Sequence, residues 1–361
     1  MSKLILAIES SCDETAMSLI RSEEDADYFQ IEVLSNAVAS QIDIHKKWGG
    51  VFPELASRAH LEAMIPVLEE AMGSNQQSGI RYQPEKLKTE SWQLTAVDAI
   101  AVTAGPGLVG SLLMGVETAN ILANLHKKPL IPVNHLEGHI YAAFAKQNKF
   151  NIPKSDIFPI LALVVSGGHT SLILMKDHLK YEVVGQTIDD AAGEAFDKVS
   201  KLMELGYPGG PIIEKLAQSG NENAYKLPIG IKDQADFSFS GLKTAVLYLT
   251  KDVRTGEKIE YNKADLAASF QKIVVDTLIL KTKKAIDKYN PSSVILSGGV
   301  SANSYLRKRF SRELASKFLP EEMIIIPPKN LSTDNAVGIA IAGALKQDSA
   351  NFVVADPNLK I

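Results

Sequence analysis

Two histidines separated by three residues could bind one metal ion. His135 and His139 occupy positions i and i+4 of the segment HLEGH, so on an α-helix their imidazoles share one face. Asp334, in the segment STDN before an apolar helical stretch, is a candidate third ligand. Two imidazoles and one carboxylate leave open positions on zinc or ferrous iron, which is enough to polarise a substrate oxygen. The alternatives are a chance pair of histidines and, for Asp334, a plain helix N-cap.

Carboxylates elsewhere in the chain suggest contacts with a substrate. Asp13 and Glu14 lie in the turn of a predicted hairpin, where they could act on a phosphoryl or acyl centre; the alternative is a solvated turn. Asp197 and Glu214 are candidates to accept hydrogen bonds from ribose hydroxyls, although each could be structural instead. Residues 189–198, rich in acidic and small side chains, are predicted to form a loop that wraps a ribose or a nucleobase.

Short strands and glycine turns must position these side chains. The apolar spacing predicts strands over 3–9, 17–21, 31–36, 97–103, 130–133, 160–165, 170–175 and 293–296, and helices over 53–72 (kinked at Pro66), 108–125, 199–205, from 302, and 336–345. A strand, a glycine turn and a helix follow one another both at 97–125 and from 293. The sequence therefore predicts an α/β chain of two duplicated lobes, with glycine-turn N–H groups facing the phosphates of a ligand between them. The alternative is that these glycines serve only as tight turns.

The composition is that of an ordinary globular protein. The chain has 361 residues, 45% of them apolar and 22% charged, a length that favours two lobes with separate cores. No apolar run approaches the roughly 20 residues of a membrane span, and the N-terminus lacks the pattern of a secretion signal. The single cysteine, Cys12, excludes an internal disulfide or a cysteine-based zinc site and favours a reducing compartment, so we expect a cytoplasmic protein.

The charge balance limits how nucleic acid could be bound. A net charge of −4 and a pI near 6.0 do not supply the broad basic field of a nucleic-acid binder. A surface for RNA must therefore be local or shared with a partner. Lys46, Lys47, Arg58 and the basic cluster at 307–312 are candidates for phosphate contacts, the alternative being a solvated helix face.

Ten short strings resemble, in order, the hallmarks of the bacterial TsaD family, also called Gcp or YgjD, which forms threonylcarbamoyladenosine in tRNA. They are IESSCDET (8–15), GGVFPELASR (49–58), TAGPGLVGSL (103–112), HLEGH (135–139), VSGGHT (165–170), IDDAAGEAFDK (188–198), GYPGGP (206–211), DFSFSGLKT (236–244), SGGVSAN (297–303) and STDN (332–335). The resemblance spans nearly the whole chain. It implies the two-lobed actin-like fold of acetate and sugar kinases, heat-shock proteins and actin (ASKHA), with duplicated lobes and a central nucleotide cleft.

The resemblance also implies an activity. Members of the family transfer the L-threonylcarbamoyl group from threonylcarbamoyl-AMP to N6 of the adenosine at tRNA position 37, beside the anticodon, in tRNAs that read ANN codons. AMP is released, so the reaction is an acyl transfer. The implied partners are tRNA, the adenylate, a TsaB-like paralogue and a TsaE-like ATPase, with no membrane.

Site residues follow from the resemblance position by position. His135, His139 and Asp334 correspond to metal ligands, with iron(II) usual for the family and zinc or magnesium possible. Asp13 and Glu14 correspond to carboxylates needed for activity, which we expect to orient or deprotonate the attacking N6 amine. The positions that resemble adenylate-binding residues are Val164, Val165, Ser166, Gly167, Gly168, Asp197, Gly210, Glu214 and Asn303.

We expect the boundary between the two lobes at the start of the HLEGH motif. Residues 1–134 form the predicted N-terminal lobe, completed by a C-terminal helix over 335–361, and residues 135–334 form the predicted C-terminal lobe. A polar stretch around 74–93, which departs from the family pattern, is predicted to be a surface insertion without chemistry.

Three other functions compete with acyl transfer. A metallopeptidase would use the histidine pair, but Glu137 lies two residues from each histidine and is not placed as the general base of such enzymes. A small-molecule or sugar kinase could share the fold, because fold does not fix function. A nucleotide-gated scaffold without catalysis would retain its role after His139 is replaced.

Overall fold

The computed structural model of the chain describes residues 2–73, 94–252, 254–315, 318–346 and 348–361. The predicted insertion at 74–93 lies outside the described residues. The described chain divides into two compact units. The first comprises Met1–Ile44, Val51–Ser155 and Asp334–Ile361, and the second comprises His45–Gly50 and Asp156–Thr333.

Strands and helices alternate along the chain. The strands are β1 (Ser2–Glu9), β2 (Glu14–Glu24), β3 (Tyr28–Ser40), β4 (Ala99–Gly105), β5 (Leu130–Asn134), β6 (Lys149–Pro153), β7 (Ile160–Val165), β8 (Thr170–Asp177), β9 (Lys180–Gln186), β10 (Ser293–Ser297) and β11 (Ile324–Ile325). The helices are α1 (Ile42–His45), α2 (Pro53–Gly73), α3 (Val109–His126), α4 (His135–Ala142), α5 (Ala192–Leu202), α6 (Gly209–Ala217), α7 (Ser240–Thr250), α8 (Lys263–Tyr289), α9 (Ser304–Ala315) and α10 (Ala336–Leu345).

The first unit is built on a six-stranded mixed sheet with the order β5-β4-β1-β2-β3-β6. The meander β1-β2-β3 is antiparallel, whereas β4 pairs in parallel with both β1 and β5. All seven residues of β4 are buried, as expected of a parallel strand covered on both faces. Helix α10, which is apolar almost all round, packs against β1 and β2 and against α4.

The second unit repeats this arrangement in a five-stranded sheet with the order β11-β10-β7-β8-β9. Again the first three strands form an antiparallel meander, and the next strand in sequence, β10, pairs in parallel with the first. Each of β1 to β5 therefore has a counterpart among β7 to β11 at the same place in the strand order. The predicted duplication of an α/β lobe is confirmed by this match.

Most predicted elements occur, but two helices begin elsewhere. Helix α5 begins at Ala192, not at Val199, so most of the expected loop at 189–198 is helical; its apolar side chains at helical spacing, Ala195 and Phe196 among them, are buried. Helix α9 begins at Ser304 after a short 3₁₀ turn. The 27-residue helix α8 was not predicted.

Among the described residues, no helix has the length and apolarity needed to cross a membrane.

In the structure, the main boundaries between the two units fall after Ser155 and after Thr333. The sequence predicts the boundaries between the lobes after residues 134 and 334. Helix α4 and strand β6 thus belong with the first unit. The division of the chain into lobes at the HLEGH motif stays a prediction.

Candidate metal centre

Three side chains of the first unit bring their ligand atoms together. The nitrogen and oxygen ligand atoms of His135, His139 and Asp334 all lie within 4.8 Å of one another. Oδ1 of Asp334 is 3.6 Å from Nε2 of His135 and 3.3 Å from Nε2 of His139. Both histidines are buried, and the Asp334 side chain is 16% exposed. The residues nominated from spacing are therefore neighbours in the fold.

The two histidines owe their common orientation to a capped helix. Asn134 is the N-cap of α4 and accepts a hydrogen bond from the Leu136 N–H, while the Glu137 carboxylate accepts one from the Asn134 N–H. Glu137 also forms an ion pair with Lys346 at 2.7 Å. Its carboxylate is therefore committed to the helix cap, which argues further against a role as a peptidase base.

Asp334 reaches the histidines because α10 lies very close to α4. A side chain at Gly338 would clash with the carbonyl of Gly138, and one at Gly138 would clash with Ile339. The contact at 338 is with backbone, so glycine there permits this approach, whereas the Ile339 side chain could move to admit a larger residue at 138. The N-cap of α10 is Asn335, which accepts a hydrogen bond from the Val337 N–H at 3.0 Å. The plain-cap interpretation of Asp334 is therefore wrong.

The chemistry of this group fits a divalent cation. Among the described residues, the buried Nε2 of His139 has no hydrogen-bond partner, although a buried polar atom normally has one. Burial disfavours a charged imidazole at His135, but the carboxylates of Glu9 and Asp334 outweigh it and raise the pKa of His135 to about 9. The site thus attracts positive charge, and its nitrogen and oxygen donors suit zinc or ferrous iron better than magnesium, which prefers oxygen ligands.

The turn that carries Asp13 and Glu14 is anchored beside this group. The Ser11 carbonyl accepts a hydrogen bond from the Leu108 N–H at 2.8 Å, and the Ser11 hydroxyl lies 3.1 Å from Nδ1 of His135. Burial, and then the neighbouring Asp13 carboxylate, raise the pKa of Glu14 well above its usual value. A carboxyl group that retains its proton to higher pH than usual is suited to proton exchange with a substrate amine.

A buried histidine that the sequence did not single out supports the same turn. His60 of α2 places Nδ1 2.8 Å from the Thr15 hydroxyl and Nε2 3.0 Å from the Cys12 carbonyl. A carbonyl can only accept, so Nε2 donates to it. His60 therefore bridges the two ends of the segment that holds Asp13 and Glu14. The string ASRAH carries no spacing signal for this contact, which only the packing of α2 creates.

The residues nominated for the adenylate all lie in the second unit, at the end of β7, in the turns that follow β7 and β10, and on α5 and α6. Val164 and Val165 end β7, and the following turn contains Ser166, Gly167 and Gly168. A side chain at Gly193, in the first turn of α5, would come within 2.6 Å of the Ser166 carbonyl. In the part of the chain that the structure describes, no atom beyond the local backbone and the chain neighbours lies within 4 Å of the place where a side chain would stand at Gly167, Gly168 or Gly210. Their open backbone is accessible to a ligand.

Asp197, Glu214 and Asn303 each have a structural partner in this unit. Asp197 accepts a hydrogen bond from the Gly209 N–H at 2.7 Å, and Glu214 accepts one from the Ser304 N–H at 2.8 Å. Asn303 donates to Gln271 at 2.8 Å. Beside them lies a cavity of about 360 Å³, lined by residues that include Glu214, Gln271, Ser304 and Tyr305. Each of the three side chains thus stabilises a backbone or side-chain contact within the second unit.

The basic cluster of α9 separates into two kinds of side chain. Arg307 donates to the Ser301 and Pro327 carbonyls and to the Ser332 hydroxyl, and Arg309 forms ion pairs with Asp276 and Glu313. Both arginines hold the second unit together. Lys308 and Arg312 are exposed and lie one helical turn apart, so they are the members of the cluster suited to an external phosphate.

Comparison with known proteins supports the resemblance. The family model described as TsaD, tRNA N6-adenosine threonylcarbamoyltransferase, matches residues 32–341. Proteins with that name include one from Symbiobacterium thermophilum, 49% identical over 94% of this chain and 90% of its own length. Another, from Bacillus cereus, is 45% identical over 99% of this chain and 96% of its own.

Solved structures show the fold. Full-length HypF in its phosphate- and nucleotide-bound form matches with a TM-score of 0.54 at 14% identity, covering 95% of this chain and 46% of HypF. The HypF of T. kodakarensis matches with a TM-score of 0.53 at 12% identity. This chain thus spans about half the length of HypF, and that likeness confirms the predicted actin-like α/β fold alone. The match of the family model over most of the sequence, together with relatives of nearly equal length, places the chain in the TsaD family of tRNA N6-adenosine threonylcarbamoyltransferases.

Proposed function

We propose that this protein transfers the L-threonylcarbamoyl group from threonylcarbamoyl-AMP to N6 of adenosine 37 in tRNAs that read ANN codons, releasing AMP. Membership of the threonylcarbamoyltransferase family over nearly the whole chain carries this conclusion. It also favours an acyltransferase over the kinase and peptidase alternatives. The cytoplasm, where tRNA is modified and a lone Cys12 stays reduced, is the proposed site of action.

The reaction is a substitution at an activated carbonyl. The lone pair of the N6 amine attacks the carbamoyl carbon, the bond from that carbon to the phosphate oxygen breaks, and AMP leaves with the electron pair. The proton of the amine passes to a base. An aryl amine is a poor nucleophile, so positioning and stabilisation of the carbonyl oxygen contribute most of the acceleration.

Different residues of the chain have different proposed roles in this reaction. Asp13 and Glu14 are the proposed acceptors or guides of the N6 proton, supported by the buried, raised-pKa carboxyl of Glu14. The proposed adenylate contacts are Val164 to Gly168, Asp197, Gly210, Glu214 and Asn303. They are supported by the open glycine backbone and by the cavity that Glu214 lines. His135, His139 and Asp334 would hold iron(II) or zinc. Such an ion supplies Lewis acidity toward a substrate oxygen.

A TsaB-like paralogue and a TsaE-like ATPase are the proposed protein partners. Helices α2 and α3 of the first unit pack together, and each exposes an apolar pair at i and i+4 spacing. The four side chains, which we call the apolar stripe, are Leu61, Ile65, Ile121 and Leu125, each more than half exposed. Paired apolar side chains on neighbouring helices suit a helical surface of a partner. The acidic net charge supports a shared tRNA surface.

The test is a reconstituted modification of unmodified tRNA. The protein is incubated with tRNA, threonine, bicarbonate, ATP, the adenylate-forming synthase and the candidate partners, and the nucleosides are analysed by mass spectrometry. We expect threonylcarbamoyladenosine from the wild type and none from His139→Ala, with full activity in His126→Ala at the end of α3 as the matched control. Absence of product from folded, metal-loaded wild type with active partners would refute the proposal.

A further inference from the structure

Glu9 is a buried carboxylate at the end of β1 for which the proposed reaction gives no role. The residue is 1% exposed and accepts three hydrogen bonds. Its Oε1 accepts from the Ser11 N–H at 2.6 Å, and its Oε2 accepts from the Thr103 hydroxyl at 2.6 Å. The third contact joins Oε2 to Nδ1 of His135 at 3.0 Å. A buried charge is tolerated only when its oxygens are satisfied in this way.

These contacts fix where His135 carries its proton. An ionised carboxylate can only accept, so the proton between Glu9 and His135 lies on Nδ1 of the imidazole. A ring that binds a metal is neutral, so its lone pair is then on Nε2, which faces Oδ1 of Asp334 at 3.6 Å. Metal-binding histidines commonly donate their second N–H to a carboxylate, which fixes the ring and raises its basicity.

We propose that Glu9 is a positioning residue for the metal centre: it holds His135 as the Nδ1–H tautomer with Nε2 directed at the cation. Through Ser11 the same carboxylate also joins this ligand to the turn that bears Asp13 and Glu14. Glu9 is thus the link between the metal ligands and the catalytic turn. The inference rests on the metal centre described above.

Glu9→Gln tests this because it retains the size of the side chain and changes one acceptor oxygen into a donor. With its oxygen on the Ser11 N–H, the amide NH₂ faces Nδ1 of His135. The imidazole then accepts at Nδ1 and carries its proton on Nε2, where it competes with the metal. The matched control is Glu137→Gln, which alters a buried carboxylate of α4 that accepts a hydrogen bond from the Asn134 N–H in the helix cap.

The measurement is zinc affinity of the metal-free, full-length protein, by competition with a chromophoric chelator. We expect one zinc per wild-type chain, binding about 10- to 100-fold weaker in Glu9→Gln, and a loss of less than about tenfold in Glu137→Gln. Wild-type affinity in folded Glu9→Gln would overturn the role of Glu9. If the wild type itself binds no zinc or iron(II), the three ligands do not form a metal centre. The inference then fails because its premise is wrong, and not because Glu9 has no effect on affinity.

A second measurement covers the case in which Glu9→Gln does not fold. Nitrogen-15 NMR of histidine-labelled, zinc-loaded wild type reports which nitrogen of His135 bears the proton and which bears zinc. Protonated Nδ1 with zinc on Nε2 is the expected pattern. Zinc on Nδ1, or a proton on Nε2, contradicts the proposal.

Discussion

Oδ1 of Asp334 lies 3.3 Å from Nε2 of His139, although His139 belongs to α4 and Asp334 comes just before α10, far away in the sequence. The contact ties the start of α10 to α4, and both belong to the first unit. A cation at this point would therefore bind the folded unit more tightly than the unfolded chain, in which the three ligands are apart. Metal binding and folding stability are consequently linked.

Zinc should stabilise the wild type and not Asp334→Asn. At a free zinc concentration 100-fold above the dissociation constant, binding to the folded state alone adds about 2.7 kcal/mol to the free energy of unfolding. Urea titrations with and without zinc measure the difference, and a chelator should reverse it. The exposed Asp348→Asn, a control for the same chemical change, should retain the stabilisation. Equal stabilisation of Asp334→Asn would exclude it as a ligand.

Glu14→Gln should lower turnover about 10²- to 10⁴-fold, because the amide cannot accept the N6 proton. Metal content should stay at the wild-type level. Steady-state formation of threonylcarbamoyladenosine gives the rate, and metal analysis checks the site. Glu24→Gln, at the exposed end of the same strand, should have wild-type turnover.

The pH dependence of turnover gives a second test of Glu14. Burial and Asp13 raise the pKa of Glu14, so its ionised form, which is the proposed base, appears only at higher pH than for an ordinary glutamate. Turnover should therefore rise as pH increases through that pKa. The rise should be absent from the residual activity of Glu14→Gln, and its persistence there would assign the titration to another group.

His60→Ala should reduce the free energy of unfolding by roughly 2–4 kcal/mol, since it removes a fully buried ring and two hydrogen bonds. Turnover should also fall, because Thr15 and Cys12 no longer share a support. His60→Gln, which can still donate and accept, should lose less of both. Urea denaturation and initial rates test this, and a His60→Ala protein as active as the wild type would show that the turn needs no such bridge.

Gly338→Ala should weaken zinc binding, although it adds only one methyl group. The added methyl group would meet the Gly138 carbonyl, so α10 must move away from α4 and carry Asp334 from the histidines. Chelator competition measures the affinity. Gly241→Ala is the glycine control, because open space surrounds the position of the added methyl group, and it should bind zinc as the wild type does. Unchanged affinity in Gly338→Ala would mean that the helices do not set the ligand spacing.

Ile65→Glu in the apolar stripe should disrupt the proposed complex with a TsaB-like partner. A charge placed among exposed apolar side chains must be desolvated when the partner binds, which costs binding free energy. Size-exclusion chromatography and modification assays at limiting partner concentration detect the loss. Tyr248→Glu, an equally exposed position in the second unit, should assemble normally. Normal assembly of Ile65→Glu would place the partner elsewhere.

Features with a local cause were predictable from the sequence. The i, i+4 spacing of His135 and His139 fixes a common helix face, and the apolar runs of β1 and β7 fix the strands that begin each sheet. The start of α5 was missed because Gly193 reads as a turn residue. In the structure it is a helical glycine, required by the close Ser166 carbonyl.

Features with a non-local cause were not predictable. Glu9 looks like a polar strand end, and its role arises only when Thr103 and His135 arrive from other elements. His60 likewise belongs to α2, and the other buried side chains of that helix are apolar. Its role arises only from its contacts with the turn at Cys12 and Thr15. Sequence spacing does not predict such contacts between distant residues, because they depend on how sheets and helices pack.

The first unit contains both the opening strand of the chain and its final segment, with α10 against β1 and the Val353 N–H bonded to Asn120. During synthesis the second unit is therefore complete before the first can close. The histidines emerge from the ribosome long before Asp334 does, and a nascent chain holds only two of the three proposed ligands. Binding of one ion by all three proposed ligands therefore has to await the synthesis of Asp334, and a prematurely terminated product without α10 would lack the contact that holds Asp334 beside the histidines.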